Sequence, residues 1–246
     1  MSEAGGAIQG LVVGAGGGIG SAIAQRWSTD SRFDTVWAVS REVSVDPASP
    51  APLRHLATDH SEGQIAELAQ TIMRESPRLS RVVIALGTLH GPDYAPEKSL
   101  DALQLASMQE VHRINCILPM LWISALVAGL RKSPDCRIAV LSARVGSIGD
   151  NRLGGWYSYR SAKAALNMGL RCASIELARR AKGVKLISFH PGTVDTALSA
   201  PFQRGVPEGK LFDPDFVARR LEGLLDAHSA DGELSYLDWA GEPIPW

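Results

Sequence analysis

The feature that most limits the fold of this chain is a regular alternation of short apolar runs and longer helical patterns. Seven runs of about five residues, rich in Val, Ile and Leu and flanked by turn residues, are typical of strands: 8–13, 36–39, 53–57, 81–86, 137–141, 184–189 and 234–237. Five intervening stretches carry helix-forming residues with apolar positions three and four apart: 21–27, 62–75, 100–130, 158–181 and 214–227. We expect the third of these to break into two helices. This order predicts a doubly wound α/β fold, with a mostly parallel seven-stranded sheet between two layers of helices.

The length of the chain favours a single domain spanning residues 1–246. A protein of this size buries roughly 70 to 75 per cent of its unfolded surface, which is enough for one large hydrophobic core. Two segments resemble linkers, 44–52 and 199–209, but both are too short to separate domains. We interpret them as surface loops.

The charge balance argues against nucleic-acid and membrane partners. The 25 basic and 26 acidic residues leave a formal charge of −1, which supplies neither a basic nucleic-acid footprint nor a polybasic membrane patch. The uncharged run 115–130 has 16 residues and contains Pro119. A spanning helix needs about 20 residues, so we predict a buried helix there.

The cysteines and the N-terminus favour a cytoplasmic location. Cys116, Cys136 and Cys172 are odd in number and widely spaced, which fits neither a disulfide framework nor a paired metal site. The first ten residues lack a basic segment followed by an apolar one, so no secretory signal is expected. The six histidines show no metal-ligand spacing, and we expect metal-free chemistry.

A glycine-rich turn follows the first predicted strand and opens the first helix. Glycines stand at Gly14, Gly16, Gly18 and Gly20, with Ile19 between the last two, in the spacing G-x-x-x-G-x-G. Without a Cβ, the backbone N–H groups can approach a pyrophosphate, and the helix N-terminus favours an anion. The turn therefore predicts a dinucleotide site. The alternative is a tight turn without a ligand.

The end of the second strand indicates which dinucleotide binds. Ser40 and Arg41 stand where an acidic residue would hold the ribose of NAD, and a guanidinium suits the 2′-phosphate of NADP. NADP is therefore favoured, with NAD as the alternative. Because Glu42 follows directly, Arg41 could instead be a solvated loop cation. Asp59, after the third strand, could bind the adenine edge or equally cap a helix.

Tyr159 and Lys163 lie four residues apart in a strongly helical stretch, so they share one face. A tyrosine has an ordinary pKa near 10, and an adjacent ammonium lowers that pKa by favouring the phenolate. The pair is therefore a candidate device for proton transfer.

Taken together, the glycine turn and the Y-x-x-x-K pair resemble the short-chain dehydrogenase/reductase family, over essentially the whole chain. Further segments resemble its C-factor and sniffer-type carbonyl reductase group: Gly146-Ser147-Ile148, Asp150-Asn151, the stretch 154–160, Asp238-Trp239-Ala240-Gly241 and the last three residues. The resemblance implies the Rossmann fold and hydride transfer between NAD(P)H and a carbonyl carbon.

The resemblance also implies roles for single residues. Tyr159 would protonate the carbonyl oxygen, and Lys163 would lower the tyrosine pKa and hold the ribose. Asn115 would connect Lys163 to solvent through water; the alternative is a polar residue at a helix break before Pro119. The turn after the sixth strand would meet the nicotinamide amide and the pyrophosphate through residues Pro191, Gly192, Thr193, Val194 and Thr196. The alternative is an ordinary turn at the end of a strand.

Two positions depart from the family pattern. After the fourth strand the family usually has N-N-A-G, whereas this chain has Ile84-Ala85-Leu86-Gly87, which keeps only the glycine that lies against the cofactor. Aligning on Gly146 places Ala143 where the family has the serine that hydrogen-bonds the substrate carbonyl. Ser142 faces the other way on a strand, and Ser147 could reach the pocket only if its loop folds back. Trp156 lies beside the expected pocket.

The hypothesis that these features favour is an NADPH-dependent reductase of a small, largely apolar ketone or aldehyde. We expect residues 198–212 to form a lid that excludes water from the pocket. The second hypothesis is a cofactor-binding signalling protein with weakened or lost catalysis, which Ala143 supports. A methyltransferase is disfavoured by the tyrosine helix. The helix 115–130 and the tyrosine helix resemble elements that pair between subunits in this family, so we expect a homodimer or homotetramer.

Overall fold

The computed structural model describes residues 8–42, 52–131 and 133–246. Within them, the strands are β1 Ile8–Val13, β2 Phe33–Ser40, β3 Leu53–Ala57, β4 Leu79–Ile84, β5 Cys136–Leu141, β6 Val184–His190, β7 Thr193–Val194, β8 Leu211–Phe212 and β9 Leu234–Asp238. The helices are α1 Gly18–Thr29, α2 Glu62–Glu75, α3 Leu105–His112, α4 Leu118–Leu130, α5 Tyr157–Arg180 and α6 Pro214–Ala227. The predicted loop 44–52 falls outside the described residues except for Pro52.

Seven strands form one sheet in the order β3-β2-β1-β4-β5-β6-β9, with every neighbouring pair parallel. The predicted doubly wound, parallel α/β fold is confirmed. The chain reverses its direction of winding between β1 and β4, so the carboxyl ends of these two strands open a crevice where such folds bind ligands.

Alternate residues along the strands feed two separate cores, one on each face of the sheet. Leu11 and Val13 pack with α2, α4 and α5, whereas Val12 packs with α1 and α6. Both cores are built mainly from buried aliphatic side chains, with tryptophan and phenylalanine rings among them. The strands are apolar almost throughout because both faces of the sheet are covered.

Several predicted boundaries were wrong by a few residues. The fourth strand spans 79–84 rather than 81–86, because the chain leaves the sheet at Ala85 to line a cavity. The second strand begins at Phe33, whose ring stacks on Trp27 with centroids 5.0 Å apart. The first helix begins at Gly18 rather than residue 21, because the glycine turn itself supplies its first residues.

The predicted break within 100–130 takes the form of a change in helix type, because α3 and α4 belong to one continuous helix, Leu105–Leu130. A single 3₁₀ turn at Leu100–Ala102 precedes α3, and the five-residue π-helical segment Arg113–Ile117 joins α3 to α4. The stretch Leu105–Leu130 is long and apolar enough to cross a membrane by length and composition. In this fold Leu118, Trp122 and Leu126 on α4 are core residues, as the sequence predicted for a buried helix.

Candidate active site

The glycine turn between β1 and α1 is packed too tightly for side chains. Gly14 has φ +89°, and a Cβ there would lie 2.8 Å from the Ala85 carbonyl oxygen. A Cβ on Gly18 would lie 2.6 Å from the Thr196 side chain, and one on Gly20 would overlap the Gly14 carbonyl oxygen. Because α1 begins at Gly18, its unpaired N–H groups point out of this turn. The backbone therefore fits a pyrophosphate, the anionic centre of a dinucleotide.

A cavity of about 640 Å³ opens beside this turn at the carboxyl ends of the strands. Its walls include most residues predicted from the sequence to bind cofactor at the adenosine end: Gly14, Gly16, Ser40, Arg41, Asp59 and Gly87. Gly18, Ile19 and Gly20 lie in the first turn of α1, next to the cavity wall. The cavity is large enough for a nucleotide.

The residues that should select the cofactor stand at the rim of this cavity. Arg41 is exposed there, directly after β2, and the Ser40 hydroxyl donates to the Glu42 carbonyl oxygen at 2.5 Å. Asp59 stabilises the turn before α2, since its Oδ1 accepts a hydrogen bond from Ser61 N at 2.7 Å. This bond lowers the pKa of the Asp59 carboxyl group. Asp59 also lines the cavity, so the two interpretations of this residue are compatible.

Tyr159 and Lys163 lie together on α5, as their spacing predicts. Lys163 Nζ is 5.8 Å from the centre of the Tyr159 ring and donates to the Leu141 carbonyl oxygen at 2.8 Å. Burial lowers the pKa of Lys163 to about 7. Burial raises the pKa of Tyr159, to which the nearby Tyr236 also contributes. The expectation of a lowered tyrosine pKa was therefore wrong for this structure, because removal from water disfavours both charged forms.

Asn115 is fully buried in the π-helical segment and reaches the loop after β4. Its Oδ1 accepts from Thr88 N at 3.2 Å, and its Nδ2 donates to the carbonyl oxygens of Thr88 and Val111. A Cβ on Gly87 would lie 3.3 Å from Asn115 Oδ1 and 3.9 Å from Lys163 Nζ. Asn115, Gly87 and Lys163 therefore converge on one point, while the water relay from Lys163 to solvent stays a prediction.

Ala143 follows β5 in extended backbone and is 8% exposed. The Tyr236 hydroxyl donates to its carbonyl oxygen at 2.7 Å. The neighbouring hydroxyls have other partners: Ser142 Oγ donates to Asn167 Oδ1 at 2.8 Å, and Ser147 Oγ accepts from Asp150 N at 3.0 Å. Both serines are buried; the Ser142 proton is donated within the scaffold, whereas Ser147 Oγ takes part in its bond as the acceptor.

Trp156 connects the tyrosine helix to the predicted lid. Its ring packs edge-on against Tyr159 at a centroid distance of 6.4 Å and against Phe202 at 5.3 Å. Phe202 in turn contacts the His90 ring at 5.8 Å, and His90 Nε2 donates to the Ala197 carbonyl oxygen at 3.2 Å. The first part of segment 198–212 therefore contacts Trp156, and its role as a lid stays a prediction.

The turn after β6 leads into a second, two-stranded sheet of β7 and β8. Gly192 has φ +78°, and a Cβ there would lie 2.6 Å from the Phe212 ring. Pro191 precedes it, Val194 is buried, and Thr196 touches the glycine turn. Thr196 therefore lies against the glycine turn, while the cofactor contacts of Pro191, Gly192 and Val194 stay predictions. Two-residue strands carry no periodic pattern, which is why the sequence did not reveal them.

Sequence reasoning missed three buried polar residues at this site, Glu97, Asn167 and Tyr236. Glu97 contacts the start of α5, and Asn167 accepts from both Ser142 and Ser188. Each partner is far away in the sequence, and none of the three belongs to a motif. Only the fold brings them to the site.

The comparisons with known proteins agree with this geometry. The model for the short chain dehydrogenase family matches residues 10–206. The chain belongs to the short chain dehydrogenase family. It is therefore an NAD(P)-dependent oxidoreductase by family, and the resemblance inferred from the sequence is confirmed.

Two relatives are similar in sequence. C-signal of Myxococcus xanthus is 35% identical over 151 residues, which cover 60% of this chain and 84% of that protein. Benzil reductase ((S)-benzoin forming) of Bacillus cereus is 24% identical over 254 residues, which cover 93% of this chain and 98% of that protein.

Two solved structures are similar in fold. Carbonyl reductase Sniffer of D. melanogaster has a TM-score of 0.82 at 17% identity, covering 98% of this chain and 100% of that one. A short-chain dehydrogenase/reductase from Burkholderia multivorans with bound NADP has a TM-score of 0.80 at 26% identity, with coverage of 98% and 100%.

Proposed function

We propose that this chain is an NADPH-dependent reductase of a small carbonyl compound, with Tyr159 as the proton donor. The observation that carries the proposal is the pair of half-buried Tyr159 and buried Lys163 beside a glycine-lined nucleotide cavity, since Lys163 Nζ lies within 3.9 Å of a Cβ position on cavity-lining Gly87. The relationship to benzil reductase supports carbonyl reduction.

A bound NADPH would supply the hydride. On this chain, the glycine turn would hold the pyrophosphate, Ser40 and Arg41 the 2′-phosphate, and Asp59 the adenine. Pro191, Gly192, Val194 and Thr196 would line the nicotinamide end. The NADP bound to the Burkholderia multivorans relative supports this choice of cofactor, and NAD is the alternative.

Tyr159 is suited to give a proton. A phenol has an ordinary pKa near 10, so Tyr159 is protonated at neutral pH, as a general acid in the reducing direction must be; burial raises this pKa further. Lys163, with a pKa of about 7, can carry charge near a bound cofactor. Asn115 would keep the loop at Gly87 and Thr88 in place.

A second candidate is a cofactor-binding signalling protein. Two observations favour it: Ala143 replaces a hydroxyl donor at the pocket, and C-signal is a relative at 35% identity. Loss of one such donor costs about 10²–10³ in rate, so native turnover could be slow.

One assay separates the two candidates. Purified protein is mixed with NADPH and a panel of small aldehydes, diketones and quinones, and NADPH oxidation is followed by absorbance. Turnover that Tyr159→Phe abolishes supports the reductase. NADPH binding without turnover of any carbonyl favours the signalling protein.

We also propose that the chain assembles into a homodimer or homotetramer. Large apolar side chains are exposed along the π-helical segment and α5, with Ile117 at 50%, Met168 at 65% and Ile175 at 47%. Large apolar side chains exposed on these two elements support pairing between copies of the chain, because contiguous apolar patches mark interaction sites. Light scattering coupled to gel filtration would give the mass, and a monomer at micromolar concentration would contradict the proposal.

A further inference from the structure

The segment between β4 and residue 98, which we term the cavity loop (residues 85–98), is held at its start. Gly87, Thr88 and Tyr94 of this loop line the nucleotide cavity. Asn115 bonds both the N–H and the carbonyl oxygen of Thr88. Within the loop, the hydroxyls of Thr88 and Tyr94 share a hydrogen bond of 2.6 Å, and Gly91 N donates to the Tyr94 carbonyl oxygen at 2.9 Å. The first part of the loop therefore forms a wall of the cavity and is tied by hydrogen bonds to Asn115.

The other end of the cavity loop is attached to α5 through Glu97. Its carboxylate accepts from Ser158 N at 3.1 Å and from Ser158 Oγ, and its carbonyl oxygen accepts from Trp156 N at 2.6 Å. Ser158 lies in the first turn of α5, directly before Tyr159. Glu97 is 5% exposed, so its carboxylate is held among these donors rather than in water.

This arrangement supplies α5 with the N-terminal cap that it lacks locally. Trp156, at the cap position, makes no side-chain cap bond and has φ +52°, a conformation that a tryptophan rarely adopts. Such strain persists only where neighbouring contacts impose it. A carboxylate at a helix N-terminus also interacts favourably with the helix dipole. The Trp156 ring then packs against Tyr159 at 6.4 Å.

We propose that Glu97 is a positioning residue that couples occupancy of the nucleotide cavity to the orientation of Tyr159. A dinucleotide packed against Gly87 and Thr88 restrains the cavity loop, and Glu97 transmits the restraint to the first turn of α5. The inference rests on the proposed function for its kinetic consequence. Its structural consequence requires only that NADPH binds.

The first test is hydrogen exchange of a peptide covering residues 156–160, with and without saturating NADPH. We expect NADPH to slow exchange there in the parent protein, and Glu97→Ala to abolish that protection. The backbone bond from Trp156 to residue 97 survives this substitution, which favours a folded variant. Equal NADPH-dependent protection in the parent and in Glu97→Ala, or none in the parent, overturns the proposal while leaving the proposed function intact.

The second test is kinetic, with NADPH affinity measured separately by fluorescence. We expect Glu97→Ala to lower kcat at least ~10-fold, because small misplacements of a catalytic group have such effects, while the NADPH Kd stays within about threefold. Glu97→Gln keeps one acceptor oxygen on a side chain of the same shape, so it should restore part of kcat. If the alanine variant does not fold, the kcat of Glu97→Gln tests the positioning role instead. Glu67→Gln, the same change at an exposed position on α2, is the matched control. Lower thermal stability with unchanged kcat would reduce Glu97 to a structural role.

Discussion

Restoring a hydroxyl at position 143 should increase the rate of this enzyme. Ala143 has φ −155° and ψ 145°, an extended conformation that serine adopts without strain, and it is 8% exposed at the end of β5. The Tyr236 bond to its carbonyl oxygen involves only the backbone and should survive the substitution. One added oxygen is a small change in volume.

The size of the gain follows from what the pocket lacks. The Ser142 hydroxyl proton is committed to Asn167, and the Ser147 oxygen is tied to Asp150 N. The family resemblance assigns two donors to the substrate carbonyl oxygen, Tyr159 and a hydroxyl at position 143, and this chain keeps only the first of them. Removing one donor of two typically costs ~10²–10³ in rate, so Ala143→Ser should raise kcat/KM at least ~10-fold when part of that loss is recovered.

The assay is steady-state oxidation of NADPH with a small diketone, at equal amounts of folded protein. Ser142→Ala and Ser147→Ala serve as controls, and neither should lower kcat/KM by more than about threefold if their hydroxyls are structural. No gain from Ala143→Ser, together with a collapse of activity in Ser147→Ala, would refute the reasoning and identify Ser147 as the donor. No turnover in either protein would remove the reductase function itself.

Three further outcomes are expected. We expect the parent to bind NADPH at least ~10-fold more tightly than NADH, since a charged hydrogen bond to phosphate contributes about 1.5–3 kcal/mol, and Arg41→Asp should reverse this preference. Fluorescence titration gives both Kd values, and equal values in the parent would remove Arg41 from the site. Tyr159→Phe should abolish turnover and leave the NADPH Kd within about threefold, because only the proton donor is deleted, and a variant that retains most of its rate would place the proton donor elsewhere. The pKa of Lys163 is depressed to about 7, so the unfolded chain binds more protons above that pH and this group makes the protein more stable as pH rises from 7 towards 9. Urea unfolding of Lys163→Met should lack that rise, and identical pH slopes for both proteins would show that the pKa of Lys163 is not lowered in the folded protein.

The sheet and the nucleotide turn were predictable because their signals are local. Strand runs alternate with helical patterns along the sequence, and the glycine spacing at Gly14 and Gly20 directly reflects a turn with no room for side chains. Tyr159 and Lys163 were predictable for the same reason, since a spacing of four on a helix puts two side chains together.

The electrostatics of the pair and the second layer of the site were not predictable in this way. The sequence placed an ammonium beside a phenol, but the sign of the tyrosine pKa shift depends on burial, which only the packed structure fixes. Glu97 and Tyr236 reach the site from segments with no motif of their own. The cytoplasmic location and the absence of nucleic-acid and membrane partners remain predictions from composition.

The π-helical segment Arg113–Ile117 fixes the rotational phase between the two halves of one long helix. Each α-helical residue turns the helix by about 100°, so a single residue deleted from this segment would rotate everything on one side of it by that angle. Asn115 would then swing away from Thr88, or α3 would present another face to α5. A regular helix of the same composition therefore cannot satisfy both contacts at once. The sequence length between Val111 and Leu118 is as strict a requirement of this site as the identity of Asn115 itself.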